Sequence, residues 1–414
     1  MRASGVAAGI TALLAALSLT GCQSASSGAG AGASVTSTAA GAPGGSPTTP
    51  ASTTAPTAAA ATGPATGPAI GGAGGGAGGP VPSGFAATSV TFVSADEAFV
   101  LGTAPCASKP CTSIVRTLNR GATWAGLPAP VAPLGEYTST DHSAVWGIRF
   151  ADPAHGFVFG NGLWETTNGG EHWGAAAGPG GSILDLEVID GQVLALTQAC
   201  SPQSGCAQSQ TLYRRALDGG AWHVVTPVTK AKVITTQARV AAVLDGSSVV
   251  VTSDGGLSFA ARATPCASAP TATTSVAVSG PDSLALLCAG EAAMGSVQKT
   301  VYVSDDLGAH WTRAGSPPLG GDPWAISAGT TSGLLVSAAS GASWLYYSGD
   351  GGVRWSTAYE GLDGGSGFND LGFTTPADGV AVSGPVYTDG NADGVPGKLL
   401  LTSDGGATWH PVTW

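Results

Sequence analysis

One short motif recurs seven times in this sequence and constrains the fold more than any other feature. Its pattern is Ser/Thr-x-Asp/Asn-x-Gly-x-x-Trp, and the last copy reads TSDGGATW over 402–409. Successive copies are 36 to 54 residues apart, a spacing typical of solenoids, propellers and other repeat arrays. The Asp or Asn positions are Asn119, Asn168, Asp218, Asp254, Asp306, Asp350 and Asp404. The closing tryptophans are Trp124, Trp173, Trp222, Trp311, Trp355 and Trp409, with Phe259 in the fourth copy.

Short β-rich segments surround each copy. In the second unit they are WGIRFAD (146–152), GFVFG (156–160) and LWETTN (163–168), and a further strand is expected from Trp173. Glycine, Asp and Asn separate these segments, as they do between strands and turns. Four strands per unit and seven units predict an all-β fold, a seven-bladed β-propeller with four antiparallel strands per blade, over 84–414.

The residue types of the motif indicate a structural turn. An Asp or Asn side chain accepts hydrogen bonds from backbone N–H groups of its own turn, and a Ser or Thr hydroxyl adds a local bond. Glycine supplies a positive φ at little cost, and the tryptophan offers a large apolar area for packing between blades. We therefore expect the repeated Asp and Asn residues to be scaffold rather than catalytic groups.

The motif resembles the Asp-box, also called the BNR repeat. The Asp-box is found in sialidases, some endoglucanases, sortilin-type receptors and propellers similar to photosystem II stability/assembly factors. The segments IRFADPAHGFVFGNGLWETTNGGEHW and LGFTTPADGVAV, the latter followed by LLLTSDGGATW, are most similar to the last group. The resemblance covers about 88–414 and implies the propeller fold. It implies little about function, because propellers host many unrelated activities.

The N-terminus resembles a bacterial lipoprotein signal. A single Arg precedes a short apolar run that ends in Leu-Thr-Gly-Cys, so we expect a signal peptide over 1–21 and a lipid on Cys22. Segment 22–83 is rich in Ala, Gly, Ser, Thr and Pro and cannot bury enough apolar surface to fold. We interpret it as a disordered linker with a reach of roughly 40 Å. The expected location is outside the cytoplasm, on the outer face of the bacterial cell membrane, with the lipid as the only membrane contact.

The charge balance excludes one class of partner. The net charge is −11, and nearly all charged residues follow residue 84. Nucleic-acid-binding domains present basic surfaces, so we expect no nucleic-acid partner.

Six cysteines remain after Cys22, an even number that suggests disulfides in an exported chain. Zinc is the competing interpretation, but the sequence has no C-x-x-C motif or Cys/His cluster. Proximity within single loops favours the first two of the following pairs, and elimination leaves the third. The pairs are Cys106–Cys111, Cys200–Cys206 and Cys266–Cys288.

We name the strands of each blade A to D from the centre outward. The motif then joins strands C and D, and the B–C and D–A connections lie together on the opposite face, which we call the loop face. All six cysteines fall on this face, and long B–C loops are also expected in blades 5 and 7. Long, cross-linked loops are either binding surfaces or stabilised surface structure. The candidate binding residues are Lys109, Tyr137, Asp141, His142, Arg149 and Glu187.

Two candidates have more specific chemistry. Aligned inner strands place Arg149 and Glu187 at matching positions of neighbouring blades, which predicts an ion pair in the central channel. The expected B–C loop of blade 7 contains DGNADG, in which Asp389, Asn391 and Asp393 have the spacing of a calcium loop. Its twelfth position is Leu400 rather than Glu, so a polar loop without calcium is the favoured interpretation. We expect no other cofactor.

Two functions remain open. The first is a non-catalytic propeller whose loop face binds a protein or an envelope glycan. The second is an exported glycoside hydrolase, which needs two carboxylates at a defined separation and has no local sequence signature. Signatures of a sialidase opening strand, of G-x-S-x-G and of H-E-x-x-H are absent, which favours the first.

Overall fold

A computed structural model describes the chain from residue 78 to 414, apart from 107–109, 136–138, 140, 202–204, 230, 232, 269–272, 365–366 and 385–396. Seven four-stranded antiparallel sheets form the described part, and each sheet consists of four consecutive strands. The seven-bladed propeller expected from the sequence is thus confirmed. In each blade the strands follow the chain from the inner strand A to the outer strand D, and the inner strands contact one another in a closed ring.

The strand bounds follow the repeat. In blades 1 and 2 they are β1 Ala86–Phe92, β2 Ala98–Pro105, β3 Pro110–Thr117, β4 Ala125–Leu127, β5 Val145–Phe150, β6 Gly156–Gly160, β7 Leu163–Thr166 and β8 Gly174–Ala175. In blades 3 and 4 they are β9 Ser182–Ile189, β10 Gln192–Ser201, β11 Gly205–Ala216, β12 Gly219–Thr229, β13 Ile234–Gln237, β14 Val240–Asp245, β15 Ser248–Thr252 and β16 Ala260–Ala263.

Blades 5 to 7 continue the same order. Their strands are β17 Thr273–Gly280, β18 Ser283–Ala293, β19 Ser296–Ser304, β20 Thr312–Gly315, β21 Asp322–Ala328, β22 Leu334–Ala339, β23 Gly341–Ser348, β24 Ser356–Gly364, β25 Phe368–Phe373, β26 Gly379–Ser383, β27 Lys398–Thr402 and β28 His410–Pro411. The described residues form one short 3-10 helix, Pro265–Ser268, and none of their helices is long and apolar enough to cross a membrane.

The hydrophobic core is divided among the blade interfaces. The described residues form seven buried clusters, and each draws side chains from two neighbouring blades. Between blades 6 and 7, for example, Leu335 and Leu345 pack with Leu400 and Trp409. Burying a side chain of this size stabilises the fold by about 1.5–3 kcal/mol, so adjacent blades depend on each other for their stability.

The two ends of the propeller meet without exchanging a strand. Blade 7 contains only C-terminal strands and blade 1 only N-terminal ones. The ring of Trp414 packs edge-on against Phe85 and Trp124 of blade 1, with ring centroids 4.8 and 5.2 Å away. The N–H of Ala87 donates to the carbonyl of Gly397 at 3.3 Å. Aromatic packing and a backbone bond therefore close the ring.

The segment just before blade 1 also contacts it. Gly79 pairs with Gly126 of β4, whose N–H donates to the Gly79 carbonyl at 2.7 Å. A Cβ at Gly78 would lie only 2.4 Å from the Gly126 oxygen, so this approach needs glycine. Val81 packs against the cluster between blades 1 and 7. Contacts with the propeller consequently begin before residue 84.

The B–C connection of blade 5 differs from the long loop expected from its sequence. Strands β18 and β19 continue as a hairpin, with a shift of register between Ala289 and Ala292. Ala293 is paired to Ser296, and only Met294 and Gly295 lie between them. Cys288 accordingly lies within β18, opposite Thr273, rather than at the end of a strand. This part of the two strands forms a β-ribbon, since their pairing continues up to the two-residue turn.

Candidate functional site

The loop face carries three disulfides. Cys106–Cys111 joins the ends of β2 and β3, and Cys200–Cys206 crosses between β10 and β11. The third bridge ties Cys266, in the short helix before blade 5, to Cys288 of β18. These are the three pairs expected from the sequence. They stiffen three separate blades on one face, since each bridge closes a short or moderate loop.

At the centre of this face, the inner strands share a structural irregularity. Six of the seven have a residue near the start of the strand that is not paired with strand B. These residues are Thr88, Trp146, Leu184, Thr274, Trp324 and Asn369. Such bulges redirect the side chains that follow them. In blades 1, 3 and 7 the following residues are Ser89, Asp185 and Asp370, and all three contact neighbouring inner strands.

Their contacts form a polar girdle around the channel. Asp370 of blade 7 accepts from the Ser89 hydroxyl at 2.7 Å and from the Val90 N–H at 2.9 Å. Ser89 in turn accepts from the N–H of Ile148 in blade 2 at 3.2 Å. Asp185 of blade 3 accepts from the N–H of Ile234 in blade 4 at 2.7 Å. Each bond joins the inner strands of adjacent blades.

Arg149 lies at the centre of the girdle. Its Nε donates to Glu187 Oε1 at 2.6 Å, which confirms the expected pair. Its Nη2 is 3.1 Å from Asp370 Oδ1 and 3.6 Å from Asp185 Oδ1, and its Nη1 donates to the Ile148 carbonyl at 2.8 Å. The four charged side chains are 7 to 19% exposed. One guanidinium thus joins blade 2 to blades 3 and 7.

The electrostatics of this cluster raise the pKa of two of its carboxyl groups, Asp185 and Glu187. Burial raises the pKa of Asp185 to about 8, with a further contribution from Glu187, while Arg149 opposes the rise. Burial likewise raises the pKa of Glu187 against the attraction of Arg149. Burial alone would lower the pKa of Arg149, but the carboxylates of Asp370, Glu187 and Asp185 hold it well above its usual value. The guanidinium therefore stays charged.

The repeated motif occupies the opposite face, and six of its copies have the same hydrogen bonds. In blade 7 the Thr402 hydroxyl donates to Asp404 Oδ1 at 2.8 Å, and Gly406 N donates to the Thr402 hydroxyl at 3.0 Å. The N–H of Thr408 donates to the same carboxylate oxygen at 2.9 Å. These bonds lower the pKa of Asp404, although burial opposes the change. The equivalent bonds surround Asn119, Asn168, Asp254, Asp306 and Asp350.

The copy in blade 3 is different. Asp218 was expected to cap its turn like the others, but Ala216 replaces the Ser or Thr and supplies no hydroxyl. Ala216 pairs directly with Gly219, so Leu217 and Asp218 form a two-residue hairpin turn between β11 and β12. The shorter turn leaves no room for the side-chain bonds seen in the other six copies.

The closing tryptophans lie at blade interfaces. Trp409 is buried in the cluster between blades 6 and 7 and donates from Nε1 to its own turn, at Gly406 O, over 3.0 Å. Trp173, Trp222 and Trp311 instead donate to carbonyls of the preceding unit, at Pro128, Ala177 and Ala263, over 3.0 to 3.1 Å. The indole N–H of each of these four tryptophans therefore bonds either to its own turn or to the unit before it.

The other residues predicted from the sequence do not join the channel cluster or lie outside the described residues. Asp141 Oδ1 accepts from the N–H and the hydroxyl of Ser143 at 2.8 and 2.7 Å, and its carbonyl accepts from Asn161 Nδ2, so it organises the D–A connection. His142 is exposed beside it. Cys22, Lys109, Tyr137, Asp389, Asn391 and Asp393 lie outside the described residues. Within the described ranges, no group of three His, Cys, Asp or Glu side chains could hold a metal ion.

Sequence reasoning missed Ser89, Asp185 and Asp370. A signal was available, because the inner-strand segments ATSVTF, ILDLEV and FNDLGF align with these three residues at one position. Their side chains meet only because bulges turn them toward the channel, and no single strand encodes that arrangement.

Comparisons with known proteins support the fold. No family model and no curated protein matches this chain. A solved structure of YCF48 bound to D1 peptide is 16% identical, with a TM-score of 0.50 over 79% of this chain and 93% of that one. YCF48 from Cyanidioschyzon merolae is 15% identical, with a TM-score of 0.35 over 80% of this chain and 86% of that one. The chain is thus similar in fold to the YCF48 structure with D1 peptide, and at this identity the likeness extends to the fold alone.

Proposed function

We propose that this protein is a non-catalytic, lipid-anchored propeller that holds a partner protein, or an envelope glycan, on its loop face outside the cytoplasm. The observation that carries the proposal is that all three disulfides stiffen this one face. A rigid surface loses less conformational entropy on binding, which favours affinity. The YCF48 structure with a bound D1 peptide is a propeller of similar fold that holds a peptide, which supports a protein as the partner.

The arrangement of the channel carboxylates argues against the glycoside hydrolase. Such enzymes need two carboxyl groups about 5–5.5 Å or 6.5–9.5 Å apart, with a sugar between them. Asp185, Glu187 and Asp370 instead converge on one guanidinium, and Asp185 and Asp370 also accept backbone N–H bonds. A substrate would have to displace Arg149 from all three. The three carboxyl groups are thus arranged around a cation rather than around space for a sugar.

The proposal is tested by shortening two ribbons of the loop face. Residues 104–111 can be replaced by Asn-Gly, because Thr103 and Thr112 already pair across the ladder. Residues 199–209 can be replaced in the same way between Gln198 and Gln210. The full-length variants are immobilised, and capture of envelope proteins and glycans is compared with wild type. We expect one or both deletions to abolish capture of a specific partner.

The control for this experiment is a change on the opposite face. Asp404→Ala alters the turn of blade 7 without touching the loop face, so it should capture as wild type does. If capture survives both ribbon deletions but is lost in Asp404→Ala, the binding surface lies on the motif face and our proposal is wrong. Hydrolysis of an oligosaccharide that is lost on replacement of Glu187 would instead support the glycoside hydrolase.

A further inference from the structure

Four large apolar side chains are exposed on the loop face of blades 5 and 6. They are Met294, Leu319, Trp324 and Leu362, which we call the apolar patch. Trp324 is 53% exposed and Leu362 88%. Single exposed apolar residues are ordinary, but a group of them on one face of a soluble domain indicates a contact surface.

Backbone contacts place the patch around one short turn. The B–C connection of blade 6 is a three-residue turn, 340–342, beyond the last β22–β23 pair of Ala339 with Ser343. A Cβ at Gly295, next to Met294, would lie 3.2 Å from the Ser340 hydroxyl. On the other side, Leu362 lies in β24 near Gly364, which pairs with Gly341 of the same turn. The blade 5 hairpin therefore lies beside this turn.

Trp324 is directed to this place by the bulge of β21. It is the unpaired residue between Pro323 and Ala325 in the ladder with β22. Its ring packs against the position of Gly367, at the start of blade 7, where an added Cβ would be 3.6 Å from the indole. Such bulges commonly re-aim a side chain near a functional surface. The indole is thus held against blade 7 while about half of it remains accessible.

The loop that contains Leu319 is held by hydrogen bonds from a buried lysine. The ammonium of Lys299 donates to the carbonyls of Pro318, Leu319 and Gly320 at 2.9 to 3.2 Å. The Tyr346 hydroxyl also donates to the Gly320 carbonyl, at 3.0 Å. Bonds from a charged donor are stronger than neutral ones, so the loop is held in one conformation before any partner arrives.

The charge around the patch is negative. Glu291, Asp322 and Glu360 are exposed on the surrounding strands. Two lysines belong to this side of the fold: Lys299 is fully buried beneath the surface, and Lys398 is exposed at the start of β27 in blade 7. Arg354 lies on the opposite face, where it pairs with Asp350. A partner that supplies cations beside an apolar group would meet complementary charge, which guides association and disfavours acidic partners.

Other occupants fit this chemistry less well. A second copy of the chain carries the same net charge of −11 and would add carboxylates to carboxylates. The linker from 23 to 77 contains no Lys or Arg and so has nothing to pair with the acidic rim. We propose that the apolar patch docks a partner peptide in which an apolar side chain, flanked by Lys or Arg, packs on Trp324. This proposal rests on the proposed function and names the chemistry of its partner.

The probe is a fluorescent twelve-residue peptide that alternates Lys with Phe or Leu, and anisotropy measures its affinity for the full-length protein. A matched peptide replaces Lys by Glu, and another replaces the apolar residues by Ser. We expect only the first to bind. Trp324→Ser should weaken binding at least tenfold, because central aromatic residues dominate such interfaces. Val353→Ser removes an apolar residue of similar exposure from the opposite face and should change affinity less than twofold.

Charge reversal on the protein should lower affinity for one peptide and create affinity for another. The double variant Glu291→Lys/Glu360→Lys should bind the Lys peptide more weakly and acquire affinity for the Glu peptide. Thermal unfolding of each variant verifies the fold. Binding of the Lys peptide that Trp324→Ser leaves unchanged would overturn the proposal, as would Trp324-dependent dimers in sedimentation. If Trp324→Ser has no effect while the ribbon deletions abolish partner capture, the proposed function stands and the patch alone is refuted.

Discussion

Replacement of Arg149 by Met tests whether the channel cluster holds the blades together. The change keeps the apolar volume of the side chain but removes the cation that contacts Glu187, Asp370 and Asp185. Removing one partner from a buried ion pair typically costs about 3–5 kcal/mol, because the opposite charge stays buried without compensation. For a domain of about 330 residues the entropy of unfolding near Tm is about 0.7 kcal/mol/K, so Tm should fall by about 4–7 °C.

The loss should depend on pH in a defined direction. The pKa of Asp185, at about 8, and the raised pKa of Glu187 both lie above the values of an unfolded chain. The folded state therefore binds more protons between about pH 4 and 8, and these groups stabilise the fold at low pH and lose that contribution as the pH rises. Without Arg149 the buried carboxylates have no counterion, so Arg149→Met should be less destabilised at pH 5 than at pH 8.

Calorimetry at pH 5 and pH 8 measures both effects. Arg120→Met is the matched control, because Arg120 also contacts two carboxylates, Asp96 and Asp378, but its side chain is 60% exposed. Exposed ion pairs contribute about 0–1 kcal/mol, so this control should lower Tm by less than about 1.5 °C. Equal shifts for the two variants, or a larger loss for Arg149→Met at pH 5, would refute the reasoning.

Three further predictions concern the turns, the buried lysine and the anchor. Asp404→Ala should cost about 1–2 kcal/mol by loss of a turn cap, and Asp218→Ala less than half of that, as chemical denaturation can measure; equal costs would contradict the difference between their turns. Lys299→Met should increase hydrogen exchange at 319–321. Since burial lowers the Lys299 pKa to about 8, wild type should gain stability relative to the variant from pH 8 to 10; a constant difference would argue against the lowered pKa. Cys22→Ser should release the protein from membranes or leave an unprocessed precursor, as fractionation and mass spectrometry can show. A wild-type protein without an acyl group would refute the lipid anchor.

The sequence predicted the fold well because its signals are local and repeated. Each motif copy encodes a turn whose bonds lie within about six residues, as the contacts around Asp404 show. The number of copies then gives the number of blades. Blade 3 shows the limit of the motif, because the tryptophan and Asp218 remain while the hydroxyl at 216 and one residue of the turn are lost. The blade still forms, since its strands are long and its core contacts are retained.

The channel cluster could be predicted only in part. Alignment of two inner strands was sufficient for Arg149 and Glu187, because both occupy regular positions. Asp370 is 221 residues from Arg149, and its contact requires both the closure of the ring and a bulge in β25. The apolar patch depends in the same way on a bulge in β21 and on the contact between the turns of blades 5 and 6. Irregularities of this kind follow from packing between blades, which a pattern within one repeat does not contain.

The division between the two faces explains why the repeated residues and the proposed binding residues separate. On the motif face, six turns use the same side-chain bonds, so a change there alters the stability of one blade and offers no distinctive chemistry. On the loop face the described connections differ: blades 1 and 3 have disulfide-linked strand ends, and blade 6 has a three-residue turn. Arg149 and its three carboxylates lie among the inner strands. A repeat scaffold with one uniform and one varied face can therefore change its partner through loop residues such as Trp324 while the core and the turns stay as they are.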